Sequence, residues 1–230
     1  MIGIIGAMES EVSTLISLME DKKTTTICGI TYYIGRLQSQ EVILARAGIG
    51  KVNAALCTQT MILTFSPTLI LNTGVAGALS PDLQVGDMVV ATSLVEHDMD
   101  TTPVGDPRGL LTIGGENIVE IPTCSATRET LFEAAKDMGI SPMAGMIATG
   151  DQFISTKEQK DGIRSHFDAV ACEMEGGAIA HACYAARIPC AILRAISDTA
   201  DGNAHVDYPT FVLAAAKKSA DVVLAFLSRL

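Results

Sequence analysis

Short apolar runs that each end in an acidic residue constrain this chain more than any other feature. Val170–Cys172 leads into Glu173 and Glu175, and Ala191–Ile196 leads into Ser197 and Asp198. Runs this short, bounded by Gly and Pro, read as buried strands. Between such runs lie helical patterns. Val12, Leu15, Ile16 and Met19 recur at helical spacing over Glu9–Met19, and Lys51–Phe65 reads as a helix stopped by Ser66-Pro67. Alternating strands and helices imply an α/β chain with a mostly parallel central sheet. A carboxylate at the carboxyl end of a buried parallel strand faces the ligand crevice of such a sheet. Either acidic exit alone reads equally well as a cap on the helix that follows. The two together, with Arg194 close by, favour a site.

The rest of the chain fits this alternation. Met1–Gly6 reads as the first buried strand. Thr24–Leu37 and Glu41–Arg46 read as antiparallel strands joined by the polar turn Gln38-Ser39-Gln40. Thr68–Asn72 is a strand that enters a loop at Thr73–Gly77, and Asp87–Val95 is another strand. Residues 97–122, rich in Gly, Pro and Asp, read as a long irregular loop. Then follow a helix over Ala126–Met138, a strand over Gly145–Thr149, and a short helix over Thr156–Ser165. A helix over Glu175–Ala186 stops before Pro189, and a terminal amphipathic helix covers Tyr208–Leu227. No repeat or linker interrupts residues 1–230, so a single domain is expected.

Composition excludes several function classes. The formal charge of −10 argues against nucleic acid and against an anionic membrane as partners. No apolar stretch reaches spanning length without charges or breakers. Six cysteines lack any CxxC pair, and several lie in apolar runs, as reduced thiols of a cytoplasmic protein do. The four histidines have no ligand spacing, so no metal site is expected. The start at Met1 lacks the basic flank of a signal peptide.

Several motifs carry chemistry. Gly3 to Glu9 superficially suggests a dinucleotide fingerprint, but the third glycine and the later ribose-binding acid are missing, which argues against a nicotinamide cofactor. Of the carboxylates that follow, Glu11 adjoins the apolar Val12 and by periodicity faces either a pocket or solvent. Asn72–Ala78 is rich in small residues, which let a ligand approach the backbone or simply form a tight turn. Phe153, after the strand end at Asp151, reads as a core residue or as a platform for a flat base. Glu175 falls in the first turn of its helix, where the dipole favours an ionised acid. Gly176-Gly177 is costly inside a helix and implies that something packs against that turn. Asp198 either caps the loop Thr199–Ala204 or donates a proton from a desolvated pocket.

Taken together, Gly6–Glu11, Gly48–Asn53, Asn72–Gly77, Gly150–Ile154, Glu173–Glu175 and Arg194–Asp198 resemble the 5′-methylthioadenosine/S-adenosylhomocysteine nucleosidases, in order and in register along the whole chain. That resemblance implies a nucleoside phosphorylase-like fold, a three-layer α/β/α arrangement, as a homodimer that needs no cofactor. It implies that Asp198 protonates N7 of adenine and Glu11 positions the attacking water. Glu175 would bind the ribose hydroxyls, Met174 would pack on the sugar, and Glu173 and Ser197 would join the substrate site. Phe153 would stack on adenine while the Ile154 backbone reads its edge, with Ala76 and Gly77 close to base and ribose. Arg194 would help hold Glu11, Glu175 and the water. Met8, Ile49, Tyr208 and Phe211 would form the apolar pocket for the 5′-alkylthio group.

The same fold hosts purine nucleoside phosphorylases, which bind phosphate with arginines in loops that here read Gly6–Glu11 and Asn72–Val75. Both arginines are absent and Glu11 would repel phosphate, so hydrolysis is the stronger reading. Two departures stand out. Val75 replaces a serine common in nucleosidases. Pro103–Asp106 occupies the stretch where a dimer partner lends an aromatic to the 5′ pocket, leaving the nature of the 5′ substituent open.

Overall fold

The computed structural model describes residues 1–200 and 204–230, apart from the side chain of Val206. Its strands are β1 (Ile2–Gly6), β2 (Glu20–Ile27), β3 (Ile30–Leu37), β4 (Gln40–Arg46), β5 (Leu69–Ala78), β6 (Met88–Glu96), β7 (Leu111–Ile113), β8 (Glu116–Ile118), β9 (Ile121–Pro122), β10 (Met143–Thr149), β11 (Ala171–Glu173) and β12 (Cys190–Asp198). Its helices are α1 (Glu9–Leu18), α2 (Lys51–Phe65), α3 (Ser125–Asp137), α4 (Lys157–Phe167), α5 (Gly176–Ala186) and α6 (Ala204–Leu227).

The central strands are apolar throughout because both faces are covered. Every residue of β1 and of β12 is buried. Successive side chains point to opposite faces. Ile5, Ile43 and Ile70 pack against Ala54, Cys57 and Met61 of α2 and against Ile179 and Cys183 of α5. Ile4, Leu44 and Leu71 pack on the other side against Val12 and Leu15 of α1, Leu131 of α3, and Val222 and Phe226 of α6. A smaller cluster joins Ala148 to Ile163 and Phe167 of α4. The result is helix, sheet and helix in three layers, as expected.

The sheet is mixed and runs β11-β10-β6-β12-β5-β1-β4-β3-β2. Strand β1 lies parallel between β4 and β5, and β12 lies parallel to β5. Strand β6 is antiparallel to β12, and β10 and β11 continue in its direction. The sheet then curls until β11 meets the far end of β5 antiparallel, with Ala171 opposite Ala78 and Cys172 opposite Gly77. The acids at the ends of β11 and β12 therefore meet because this ring closes, not because the two strands point the same way.

Other expectations change in detail. Thr24–Leu37 is not one strand but the hairpin β2–β3, broken at Cys28-Gly29, where both residues have positive φ. That pair of conformations is the type I′ hairpin turn. The small-residue segment Thr73–Gly77 continues β5 as strand rather than forming a loop. Residues 97–122 hold a 3₁₀ turn at Thr102–Val104, the hairpin β7–β8 and the short β9, which pairs with β6. Helix α6 starts at Ala204, so Pro209 lies inside it. In the loop Thr199–Ala204, residues 201–203 lie outside the described residues.

Phe226 is fully buried where α6 meets the sheet. Phe226→Ala is expected to destabilise the chain by about 3–5 kcal/mol, read as a lower midpoint in urea unfolding. A loss under about 1 kcal/mol would place α6 outside the core.

Candidate active site

A cavity of about 300 Å³ opens where β1, β5, β11 and β12 end. Glu11, Glu173, Glu175, Ser197 and Asp198 line it, with Met8, Ile49, Ala76, Gly77, Phe153, Ile154, Met174 and Tyr208. Ala7, Val75, Gln152 and Cys172 complete the wall. Its volume suits a small molecule.

Glu11 sits in the first turn of α1 and is buried. Its Oε2 accepts from the backbone N–H of Ala7 at 2.7 Å and of Met8 at 2.9 Å. Its Oε1 accepts from Val75 N–H at 3.1 Å, which ties α1 to β5. Burial raises the Glu11 pKa, against the opposing pull of the Arg194 charge and these backbone bonds. A carboxylate has about four lone-pair sites. Three are occupied, so Oε1 keeps capacity for a further donor.

Arg194 is buried in β12, behind the cavity wall. Its Nη2 donates to Asn72 Oδ1 at 2.6 Å and to Glu173 Oε2. Glu175 Oε2 lies 4.0 Å away. The expectation that Arg194 helps hold Glu11 and Glu175 is met by the longer pair to Glu175 and by its charge on Glu11, but its shortest ion pair, which the sequence reading did not assign, is with Glu173. The sequence could not settle this, because β11 presents Glu173 directly to β12 only after the ring closes.

Glu173 also accepts from Thr149 Oγ1, and its Oε2 accepts from the N–H of Glu175 at 3.0 Å and of Gly176 at 2.7 Å. It thus caps α5, and Glu175, expected in the first turn, stands instead at the N-cap position. Its oxygens are taken up within the protein, so it supports the wall rather than a bound molecule. Burial would raise its pKa, but the Arg194 charge and the bonds from Thr149 and Gly176 outweigh burial and lower it.

Glu175 occupies the N-cap position of α5 without a side-chain bond to that helix. Its Oε1 instead accepts from Gly50 N–H at 2.9 Å. Burial and the adjacent Glu173 carboxylate push its pKa up to about 7. The helix dipole does not keep this acid firmly ionised, contrary to expectation. Asp198, the last residue of β12, accepts from Ser197 Oγ and from Ala200 N–H, both at 2.9 Å.

The glycines of β5 make room for these groups. A Cβ on Gly74 would lie 2.5 Å from Glu11 Oε1 and 3.0 Å from Arg194 Nη1. A Cβ on Gly77 would lie 2.8 Å from Asp198 Oδ1. On α5, a Cβ at Gly176 would meet the Glu173 carboxyl at 3.1 Å and one at Gly177 would meet Thr149 at 2.8 Å, so β11 and β10 are what pack on this turn.

At the mouth, Phe153 is 46% exposed and meets the Tyr208 ring edge-on, centroids 5.5 Å apart. Tyr208 Oη lies 3.0 Å from Met8 Sδ. Phe211 is not part of the wall and is exposed. Three residues further along α6, it stands about 4.5 Å beyond Tyr208 along the helix axis. Among the described residues, no cluster of three or more His, Cys, Asp or Glu could hold a metal ion.

The raised Glu175 pKa makes a stability prediction. From the ordinary 4.5 up to about 7 the folded state binds this proton more tightly than the unfolded state, so Glu175 lowers stability as pH rises through that window. Glu175→Gln removes the term. The Tm of the parent should fall more between about pH 5 and about pH 8 than that of the variant. Parallel Tm curves would show that Glu175 titrates normally.

Similarity to known proteins agrees with this site. The family model of the phosphorylase superfamily matches residues 1–228. An aminodeoxyfutalosine nucleosidase of Campylobacter jejuni is 41% identical over 100% of this chain and 99% of its own length. A 5′-methylthioadenosine/S-adenosylhomocysteine nucleosidase of Staphylococcus carnosus is 40% identical, with 100% of each chain covered. Among solved structures, the Neisseria meningitidis 5′-methylthioadenosine/S-adenosylhomocysteine nucleosidase in complex with methylthio-immucillin-A superposes with a TM-score of 0.95 at 36% identity, covering 100% of this chain and 99% of that one. With an acid-lined cavity at the strand ends and likeness over its full length, the chain belongs to the phosphorylase superfamily, in its 5′-methylthioadenosine/S-adenosylhomocysteine nucleosidase family.

Proposed function

We propose that this chain hydrolyses the N-glycosidic bond of 5′-methylthioadenosine and S-adenosylhomocysteine, releasing adenine and the 5′-thioribose. The observation that carries this reading is the convergence of Glu11, Glu175 and Asp198 on one cavity whose wall has no Lys, Arg or His among the described residues. Breaking the bond leaves an electron-rich purine and a cationic, oxocarbenium-like sugar. Asp198, its oxygens oriented by Ser197 and Ala200, is the acid that protonates N7. Positioned acid catalysis contributes about 10²–10⁴-fold. Glu11 directs its remaining lone pair at the attacking water. Glu175 accepts from the ribose hydroxyls, and in the ionised form that a pKa of about 7 leaves populated at neutral pH its charge stabilises the sugar cation.

The apolar groups complete the fit. Phe153 stacks on adenine, the Ile154 backbone reads its edge, and Ala76 and Gly77 admit base and ribose. Met174 lies on the sugar. Met8, Ile49 and Tyr208 surround the 5′ substituent. The reaction needs no metal or organic cofactor.

We further propose that the whole chain acts as one domain and as a cytoplasmic homodimer. No helix among the described residues is long and apolar enough to cross a membrane. Val52, Leu56 and Leu63 of α2 are 69%, 58% and 73% exposed, beside Ile49 at the cavity mouth. A second copy seated on this face would cover them.

Two experiments test the reading. Adenine release from methylthioadenosine, S-adenosylhomocysteine, 5′-deoxyadenosine and 6-amino-6-deoxyfutalosine is to be assayed with and without phosphate. Release without phosphate is expected, with a loss of at least about 10²-fold in Asp198→Asn. Phosphate dependence with a sugar 1-phosphate product would make the enzyme a phosphorylase. In sedimentation velocity the parent should run as a dimer and Leu56→Glu as a monomer. A monomeric parent, or a dimeric variant, counts against the α2 interface.

A further inference from the structure

Helix α2 begins without an acidic residue in its first turn and without a side-chain cap from Gly50. Its first amide groups need acceptors from elsewhere. They find two carboxylates brought from distant parts of the chain. Gly50 N–H donates to Glu175 Oε1 at 2.9 Å, and Lys51 N–H donates to Asp151 Oδ1 at 2.7 Å. The approach is close: at φ +96° a Cβ on Gly50 would stand 2.9 Å from Asp151 Oδ1.

The Lys51 side chain closes the arrangement. Its Nζ donates to Asp98 Oδ1 at 2.7 Å and to Glu96 Oε2 at 3.0 Å. Asp98 Oδ2 accepts from Asp151 N–H at 2.8 Å. Lys51, Asp98 and Asp151 therefore form a closed cycle of hydrogen bonds. Glu96 carries the link on to His181 Nδ1 of α5, 3.1 Å away. The Lys51, Glu96 and Asp98 side chains are only 19%, 10% and 19% exposed, so solvent screens them weakly. Lys51 and Asp98 do not line the cavity. Yet the cycle includes Asp151, whose chain continues into Gln152, Phe153 and Ile154 of the cavity wall, and adjoins the amide that holds Glu175.

We propose that Lys51 is a positioning residue that couples the base-binding loop 151–154 to the ribose-binding acid Glu175 through the N-terminus of α2. Two carboxylates, of Glu96 and Asp98, meet this one ammonium, and a third, of Asp151, accepts from the Lys51 backbone N–H. Without it, Asp98 and Glu96 repel each other and Asp98 no longer fixes the Asp151 amide. The base loop then drifts relative to Glu175 while the acids of the reaction stay in place. This inference rests on the assignment of Phe153 and Ile154 to the purine.

The test uses Lys51→Met, Lys51→Arg and Asp98→Asn in the full chain. Adenine affinity is measured by titration calorimetry, and kcat and KM are measured with methylthioadenosine. Lys51→Met should weaken adenine binding and raise KM by about tenfold, the loss that follows removal of a buried charge-assisted hydrogen bond. Its kcat should change less than KM. Asp98→Asn should shift both in the same direction by a smaller factor, and Lys51→Arg should restore most of the affinity. A structural role alone would lower Tm and kcat, leave KM in place and gain nothing from arginine. Adenine affinity and KM within about twofold of the parent in both Lys51→Met and Asp98→Asn would overturn the proposal. If Lys51→Met does not fold, Asp98→Asn decides. A parent that binds adenine but hydrolyses no nucleoside removes the proposed function and leaves the coupling to be judged on adenine affinity. A parent that binds no adenine overturns both.

Discussion

Arg194 is the buried cation around which the site is arranged. A guanidinium removed from water needs both a counter-charge and acceptors for its donors. Glu173 supplies the counter-charge and, with Asn72, acceptors for Nη2, from β11 and β5, while Nη1 donates to the Leu193 carbonyl and Nε has no partner among the described residues. The pairing divides the two neighbouring acids into different roles. Glu173 is held ionised and is fully engaged by Arg194, Thr149 and the first amides of α5. Glu175, two residues on, is buried, feels the Glu173 charge and keeps only the outer reach of Arg194, so its pKa is raised to about 7. One acid serves the structure, which frees the other to face the cavity.

This arrangement requires the closed ring of strands. In an open sheet of this order, β11 would lie at one edge, away from β5. Antiparallel pairing of Ala171 and Cys172 with Ala78 and Gly77 brings Glu173 beside Arg194. The parallel pairing of β5 with β12 sets Gly77 against Asp198 and Gly74 against Arg194, and Glu11 of α1 reaches Gly74 from the other side. Any side chain on those two residues would occupy the space of a carboxylate or of the guanidinium. The small residues of β5 therefore serve the acids first and the ligand second.

Much of this was legible in the chain because it depends on local pattern. Apolar runs over Met1–Gly6 and Ala191–Ile196, and the helical spacing of α1 and α2, locate the layers. Motif resemblance brought Glu11, Glu175 and Asp198 to one cavity. What was not legible depends on pairing across long separations. The Thr24–Leu37 run hid a turn because Cys28 in a left-handed conformation carries no sequence mark beyond the following glycine. The short strands within 97–122 take their partners from β6 and from each other, and their Gly- and Pro-rich composition conceals this. Which acid Arg194 would choose, and that Asp151 and Glu175 cap α2, are facts of tertiary placement. Phe211 shares the apolar character of Tyr208, and only the axial position along α6 separates them.

The charge balance of the cavity bears on what can attack the sugar. Four carboxylates, of Glu11, Glu173, Glu175 and Asp198, border it, and the nearest guanidinium stands behind the wall and is committed to one of them. Two like charges about 4 Å apart repel by about 4 kcal/mol at an effective dielectric near 20. A phosphate placed for attack would meet that repulsion from whichever of Glu11 and Glu175 is ionised and, among the described residues, find no cation facing it. Neutral water meets none of it, and an acceptor oxygen of Glu11 is free to orient it. The same negative field that rejects the anion stabilises the cationic sugar. Exclusion of phosphate and stabilisation of the transition state are thus two effects of one charge distribution, and each carboxylate that strengthens one strengthens the other.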